Sequence, residues 1–250
     1  MTRSTPSTPR NAEESAALLE RALRWNELFS RWPDARRAEL MKSARMERYS
    51  RRTQVLAHDR HRRELLVVVS GCLEISSMSS NGRKYVNALL GPGQVAPLVR
   101  LLEDVPLPYD YHAHEDSVIV HLPSDAVIAV LDAEPVLWRD VAKLGLQRQR
   151  LSIVLLQNQM LNSIHGRVAA TLMSLVHFYS GQGPGQAAAE DDAGPLLRLS
   201  QNDLASMLGL SRQTINKELG RLVEEGAIDM RYKRIRIVNA ERLARIAAGT

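Results

Sequence analysis

Five polar side chains, Arg212, Gln213, Asn216, Lys217 and Arg221, recur at a spacing that gathers them on one side of an α-helix. Their chemistry is hydrogen bonding and charge neutralisation. An arginine fork matches guanine O6 and N7, a side-chain amide both donates and accepts, and further cations suit phosphate oxygens. Concentrated in the first half of a helix, such groups suit the base edges and backbone of a DNA major groove. The bland alternative is an amphipathic helix pair with a solvated basic face.

The elements that must hold these groups are legible on either side. Ser200 can cap a first helix, with Asp203 reaching back in a capping box. Leu204, Met207 and Leu208 give that helix an apolar stripe, and Ala205 is small enough for a close crossing. Gly209 supplies a tight turn and Ser211 caps the second helix, whose expected inward face is Ile215, Leu219, Leu222 and Val223. Gly226 ends it as a left-handed cap. Alternating apolar and basic residues from Ile228 to Val238 then read as a short hairpin, the wing of a winged helix. Cap, small residue, glycine and basic wing in this order favour a DNA reader over the bland alternative.

A chain of 250 residues is long enough for two domains with cores of their own. A formal net charge of +5 and an isoelectric point near 9.6 suit a polyanionic partner. The single cysteine, Cys72, excludes an internal disulfide framework and an iron–sulfur cluster held by four thiolates of the chain; its apolar surroundings predict a buried thiol. No apolar run is long enough to span a bilayer, and MTRSTPSTPR lacks the apolar core of a secretory signal. A cytoplasmic protein without membrane partners is expected.

The fold class expected is α+β, in four stretches. Residues 1–30 form an N-terminal extension, disordered and then helical, with Leu19, Leu23, Leu28 and Phe29 as its apolar side. Residues 31–134 open with a short helix from Asp34 to Met41 and continue as an antiparallel β-barrel, with strands at 65–69, 72–75, 84–90 and 117–122 and a hairpin turn at Asn81-Gly82. The arginines from Arg45 to Arg63 read as ordinary exposed charge. Residues 135–162 form a long helix whose seam, including Leu144, Leu151, Leu155 and Asn158, has heptad spacing and predicts a homodimer. Residues 163–250 hold a helix from Ile164 to Tyr179, a flexible loop at 181–194, the helix-turn-helix, the wing and a closing helix from Ala240 to Ala248.

This order of parts, with LGLSRQTINK at 208–217 and the glycine turns VSGCLEI at 69–75 and LGPGQ at 90–94, resembles the Crp/Fnr family of bacterial transcription regulators. The resemblance covers nearly the whole chain beyond residue 30. It implies an N-terminal domain like those that bind cyclic nucleotides, a dimerisation helix, and a homodimer that docks two recognition helices on a pseudo-palindromic DNA site. By position it places base reading on Arg212, Gln213 and Lys217, and phosphate contacts on Ser200, Ser211, Thr214, Asn216, Arg221, Lys233 and Arg234. Gln213 stands where the catabolite-activator branch has a glutamate, so the preferred base there should shift from cytosine towards adenine. Lys217 replaces an arginine and loses its bidentate geometry. RNA polymerase is the implied protein partner.

The sensor half departs from the family pattern. The pocket positions fall on Ala96, Pro97, Leu98 and Tyr109, where neither the ribose-binding glutamate nor the phosphate-binding arginine is present, and Asp110 would repel an anion. This argues against cyclic AMP; the effector is another signal, or the pocket is degenerate and the regulator needs none. The N-terminal cysteine cluster of the Fnr branch is missing, and no cofactor is expected. His112, His114 and His121 could begin a cupin-like metal site in a ligand- or metal-binding barrel whose basic C-terminal module docks protein. The rest of that enzyme's ligand pattern does not follow, so exposed strand histidines, no metal and no catalytic residues are expected.

Overall fold

Leu19, Ala22 and Leu23 repeat at helical spacing on one side of α1 (Ala12–Trp25), and all three are buried. The structure is a computed structural model that describes residues 12–56, 63–179, 194–197, 199–231 and 234–249. Two compact units are present: one gathers residues 12–75 and Leu89–Gln147, the other Ser76–Ala88, residues 148–179 and those from 194 on. The described part of the stretch expected as an extension thus belongs to the first unit's core, while residues 1–11, with the expected disordered start, lie outside the described residues. Asn26, fully buried, secures the turn after α1. Its Nδ2 donates to the carbonyl of Gly93 at 2.9 Å, and its Oδ1 accepts from the backbone of Leu28 at 2.9 Å. Helix α2 (Asp34–Met41) has the expected bounds.

Eight strands follow: β1 (Arg45–Tyr49), β2 (Gln54–Leu56), β3 (Glu64–Ser70), β4 (Leu73–Met78), β5 (Lys84–Leu90), β6 (Val95–Ala96), β7 (Asp110–Ala113) and β8 (Ser117–Pro123). They form two four-stranded sheets, ordered β1-β8-β3-β6 and β2-β7-β4-β5. This is jelly-roll strand order, with antiparallel neighbours where register is given. The central pair explains the unbroken apolar run at 65–69. Leu65, Val67 and Val69 face a core shared with α1, while Leu66 and Val68 face a second core with Leu73, Tyr111 and Ile119. A strand covered on both sides needs no polar alternation.

The expectation of exposed strand histidines is overturned for His114 and His121, while His112 is half-buried. His114 is 7% exposed, with Nδ1 3.2 Å from Glu74. His121 is fully buried, with Nδ1 3.2 Å from Glu64 and Nε2 2.9 Å from the Tyr49 hydroxyl. His114 is hydrogen-bonded to a carboxylate on a neighbouring strand, and His121 to the Tyr49 hydroxyl with the Glu64 carboxylate beside its other nitrogen, which offsets the cost of burying the rings. Among the described residues no cluster of three or more His, Cys, Asp or Glu could hold a metal ion.

Helix α3 (Ser124–Ala133) was not anticipated; Val127, Val130 and Leu131 seat it on the outer core. Arg36 of α2 reaches its far end, donating through Nε to Glu134 at 3.0 Å and through Nη1 to Glu39 at 3.1 Å. Those bonds, Glu134 first, hold the Arg36 guanidinium above its ordinary pKa. Helix α4 (Trp138–Leu161) starts on the same core, and Leu144, 6% exposed, is part of it. Leu144 therefore packs within its own protomer instead of lying on an open seam. Beyond it Leu151 and Leu155 are 47% and 36% exposed, and Asn158 is half-buried.

The second unit holds α5 (Ile164–Tyr179), β9 (Leu196–Leu197), α6 (Gln201–Leu208), α7 (Arg212–Glu224), β10 (Ile228–Arg231), β11 (Arg234–Ile237) and α8 (Ala240–Ala248). Val168, Leu172 and Leu175 of α5 are buried. Residues 180–193, nearly all of the expected flexible loop, lie outside the described residues, as does Lys233. No described helix is long and apolar enough to cross a membrane.

Candidate nucleic-acid interface

Two local caps set the reading helix. At the start of α6, Ser200 Oγ accepts from the backbone of Asp203 at 3.2 Å, and Asp203 Oδ2 accepts from the backbone of Ser200 at 2.9 Å. The box satisfies two amides that the first helical turn leaves without partners. The helix stops at Gly209, whose φ of 66° lies in the left-handed region that a side chain disfavours. Ser211 then caps α7, accepting from the backbone of Thr214 at 3.0 Å. At its far end Gly226 N–H donates to Val223 and Ala227 N–H to Leu222, each at 2.9 Å, a Schellman pair.

The inward face of α7 is Ile215, Leu219 and Leu222, all fully buried. Val223 does not join them: it is 40% exposed, and Glu218, 7% exposed, takes the fourth inward position. Val223 lies about 100° around the helix from Leu222, off the stripe. Glu218 can sit inside because His165 Nδ1 lies 2.8 Å away and Arg221 Nη1 donates to it at 3.0 Å. The other ring nitrogen of His165 faces Glu225 at 3.2 Å, so α5 grips α7 at two carboxylates about two turns apart on one face. Arg167 of α5 donates to the carbonyl of Leu208 at 2.9 Å, closing the end of α6. Sequence reading missed this clamp. Its one signal was a glutamate, Glu218, on an apolar stripe.

With that face seated, Arg212, Gln213, Asn216, Lys217 and Arg221 are all exposed along the opposite side of α7. Gln201, at the first turn of α6, lies across the helix pair from them. Its Oε1 accepts from Arg212 Nε at 3.4 Å, and its Nε2 donates to Asn216 Oδ1 at 2.9 Å. Ser211 and Thr214 hydroxyls are 2.8 Å apart and serve the cap. The wing pairs Ile228 with Ile237 and Arg231 with Arg234, and β9 adds a third strand beside β11. Arg234 is exposed at the hairpin end. A cleft of about 430 Å³ separates α6, α7 and the wing, lined among others by Ser200, Asn202, Arg212, Arg231 and Arg234. Three guanidinium groups and a helix N-terminus around one opening favour an anion.

The sensor positions pack against different cores. Ala96 and Tyr109 pack with the inner core of the roll, Tyr109 edge-on to Tyr111 with ring centroids 5.8 Å apart. Leu98 packs with the outer core, and Pro97 between them is buried. The nearby Arg100 is fully buried in the short 3-10 turn Leu98–Leu101.

Comparison with known proteins places both halves. Residues 46–134 match the profile of the cyclic nucleotide-binding domain, and residues 166–246 that of the Crp-like helix-turn-helix domain. A "CRP-like cAMP-activated global transcriptional regulator" of Mycobacterium tuberculosis is 25% identical over 183 residues, 73% of this chain and 79% of its own length. A "Cyclic AMP receptor protein" of Thermus thermophilus is 27% identical over 185 residues, covering 74% of this chain and 80% of its own. In three dimensions, a CRP/FNR-family transcriptional regulator from Thermus thermophilus superposes with a TM-score of 0.65 at 20% identity, over 82% of this chain and 98% of its own; that likeness speaks to fold alone.

Proposed function

Since the chain belongs to the Crp/Fnr family of transcription regulators, we propose that it works as a cytoplasmic homodimer on a pseudo-palindromic DNA site. One recognition helix α7 enters each of two successive major grooves, about 34 Å apart. Arg212, Gln213 and Lys217 read bases. Ser200, Ser211, Thr214, Asn216, Arg221, Lys233 and Arg234 hold the backbone. The observation that carries this reading is the exposed polar face of α7, set by a capped turn and by an inward face that is fully buried at Ile215, Leu219 and Leu222. Pairing runs along α4, where Leu151, Val154, Leu155 and Leu161 are exposed apolar side chains.

The protein catalyses no reaction in this reading. The two relatives above are named for cyclic AMP, but this chain lacks the glutamate and arginine that would hold that ligand, and its corresponding residues divide between two cores. A different signal, or none, acts through the jelly roll. The test is selection of bound duplexes from a random library by the purified protein at two salt concentrations. Enrichment of a palindrome, with adenine favoured opposite Gln213, supports the reading and shows that no effector is obligatory. Absence of binding at both salts, with and without cell extract, sinks it.

A further inference from the structure

Arginine side chains can only donate hydrogen bonds. That fixes the polarity of the three-residue chain on the reading face. Arg212 Nε gives its proton to Gln201 Oε1 at 3.4 Å, so the Gln201 amide nitrogen must point the other way, where it meets Asn216 Oδ1 at 2.9 Å. Asn216 in turn has its oxygen occupied, so what its exposed side chain has left to offer is the Nδ2 donor. One cationic donor thus orients two amides, across two helices.

We propose that Gln201 is a specificity-determining positioning residue, a strut from α6 that aims Arg212 and Asn216 before DNA arrives. The inference rests on the base-reading role of Arg212. With Nε engaged, the guanidinium can address a guanine only end-on, through Nη1 and Nη2, which discriminates more sharply than a freely rotating side chain. An exposed arginine also loses much rotamer freedom when it docks, and a strut that restricts it beforehand reduces that loss. The strut is available because Gln201 occupies the first turn of α6, held in place by the Ser200–Asp203 box.

Gln201→Met keeps length and helical preference but removes both hydrogen bonds; Gln201→Glu restores an acceptor for Arg212. Full-length wild type, both variants and Arg212→Ala are compared by random-library selection, with thermal melting and affinity for a non-cognate duplex as controls. Gln201→Met is expected to weaken base preference about tenfold at the one position that Arg212→Ala flattens. Melting and non-cognate affinity stay at wild-type values, and Gln201→Glu recovers the preference. Equal loss on every sequence, or an unchanged preference in Gln201→Met where Arg212→Ala loses it, overturns the strut. If Arg212→Ala flattens no position, the base-reading assignment falls and the strut falls with it. An arm without any operator uses the free protein: NMR solvent exchange of the Arg212 Nε proton should quicken in Gln201→Met and not in Gln201→Glu. Equal exchange in all three proteins overturns the proposal.

Discussion

Gly209 shows how a single residue type sets the angle of the reading head. Its φ is 66°, and a Cβ placed there would meet nothing within 4 Å. Gly209→Ala therefore costs only backbone conformation, about 1 kcal/mol. The expected result is a melting temperature lower by about 2–4 °C with unchanged base preference, read by calorimetry and library selection. A larger loss would mean that the turn itself rearranges. The residues legible at this scale were those whose partners are near in sequence. Ser200 and Asp203, or Ser211 and Thr214, are three positions apart, and their caps formed as their types implied. Glu218 was not legible, because its partner His165 is 53 positions away. Nor was the strut through Gln201, which reaches 15 positions to Asn216 and depends on how two helices cross.

Helix α4 carries the argument at the scale of an element. Its heptad spacing is real, but the early seam positions Leu137, Val141 and Leu144 pack on the core shared with α1; the open stretch begins about two turns after Leu144. Leu151→Lys with Leu155→Lys should leave the monomer's melting nearly unchanged, since both side chains are at least a third exposed in the single chain. On the pairing proposed, the double variant sediments as a monomer and loses cooperative occupancy of the palindrome. A dimer that persists in sedimentation would move the interface elsewhere. Long elements with strong periodicity, such as α5 and β5, had readable bounds, whereas β1, β2, β6, β7 and β9 were too short or too polar to announce themselves. Strand β7 sits at Asp110–Ala113, a stretch made a strand by its place between β2 and β4.

For the molecule as a whole, charge is the testable property. The chain carries 33 Lys and Arg against 28 Asp and Glu, so the net excess is small and its placement matters more than its size. Several acidic groups are buried or paired: Glu64, Glu74 and Glu218 are each less than a tenth exposed. In the second unit, Arg212, Lys217, Arg221 and Arg234 remain exposed around α7 and the wing. Arg234→Ala should weaken binding to cognate and non-cognate duplexes alike and reduce the slope of log K against log salt by about 1 per protomer. Loss confined to the cognate duplex would make Arg234 a base reader instead of a phosphate contact.

Local chemistry written into the chain was enough to place the helix-turn-helix, its caps, its wing and the outward polar set on α7, because those features depend on residues within a turn or two of one another. It also led to the expectation that the sensor half lacks the charged pair that would hold a cyclic nucleotide. Folding in three dimensions decided the rest: which side of β3 belongs to which core, the burial of His114 and His121 beside carboxylates, the withdrawal of Leu144 into the core shared with α1, and the His165 clamp under α7. Each of those joins side chains far apart along the chain. Burial and pairing at such distances are properties of the packed whole, and no window of sequence contains both partners.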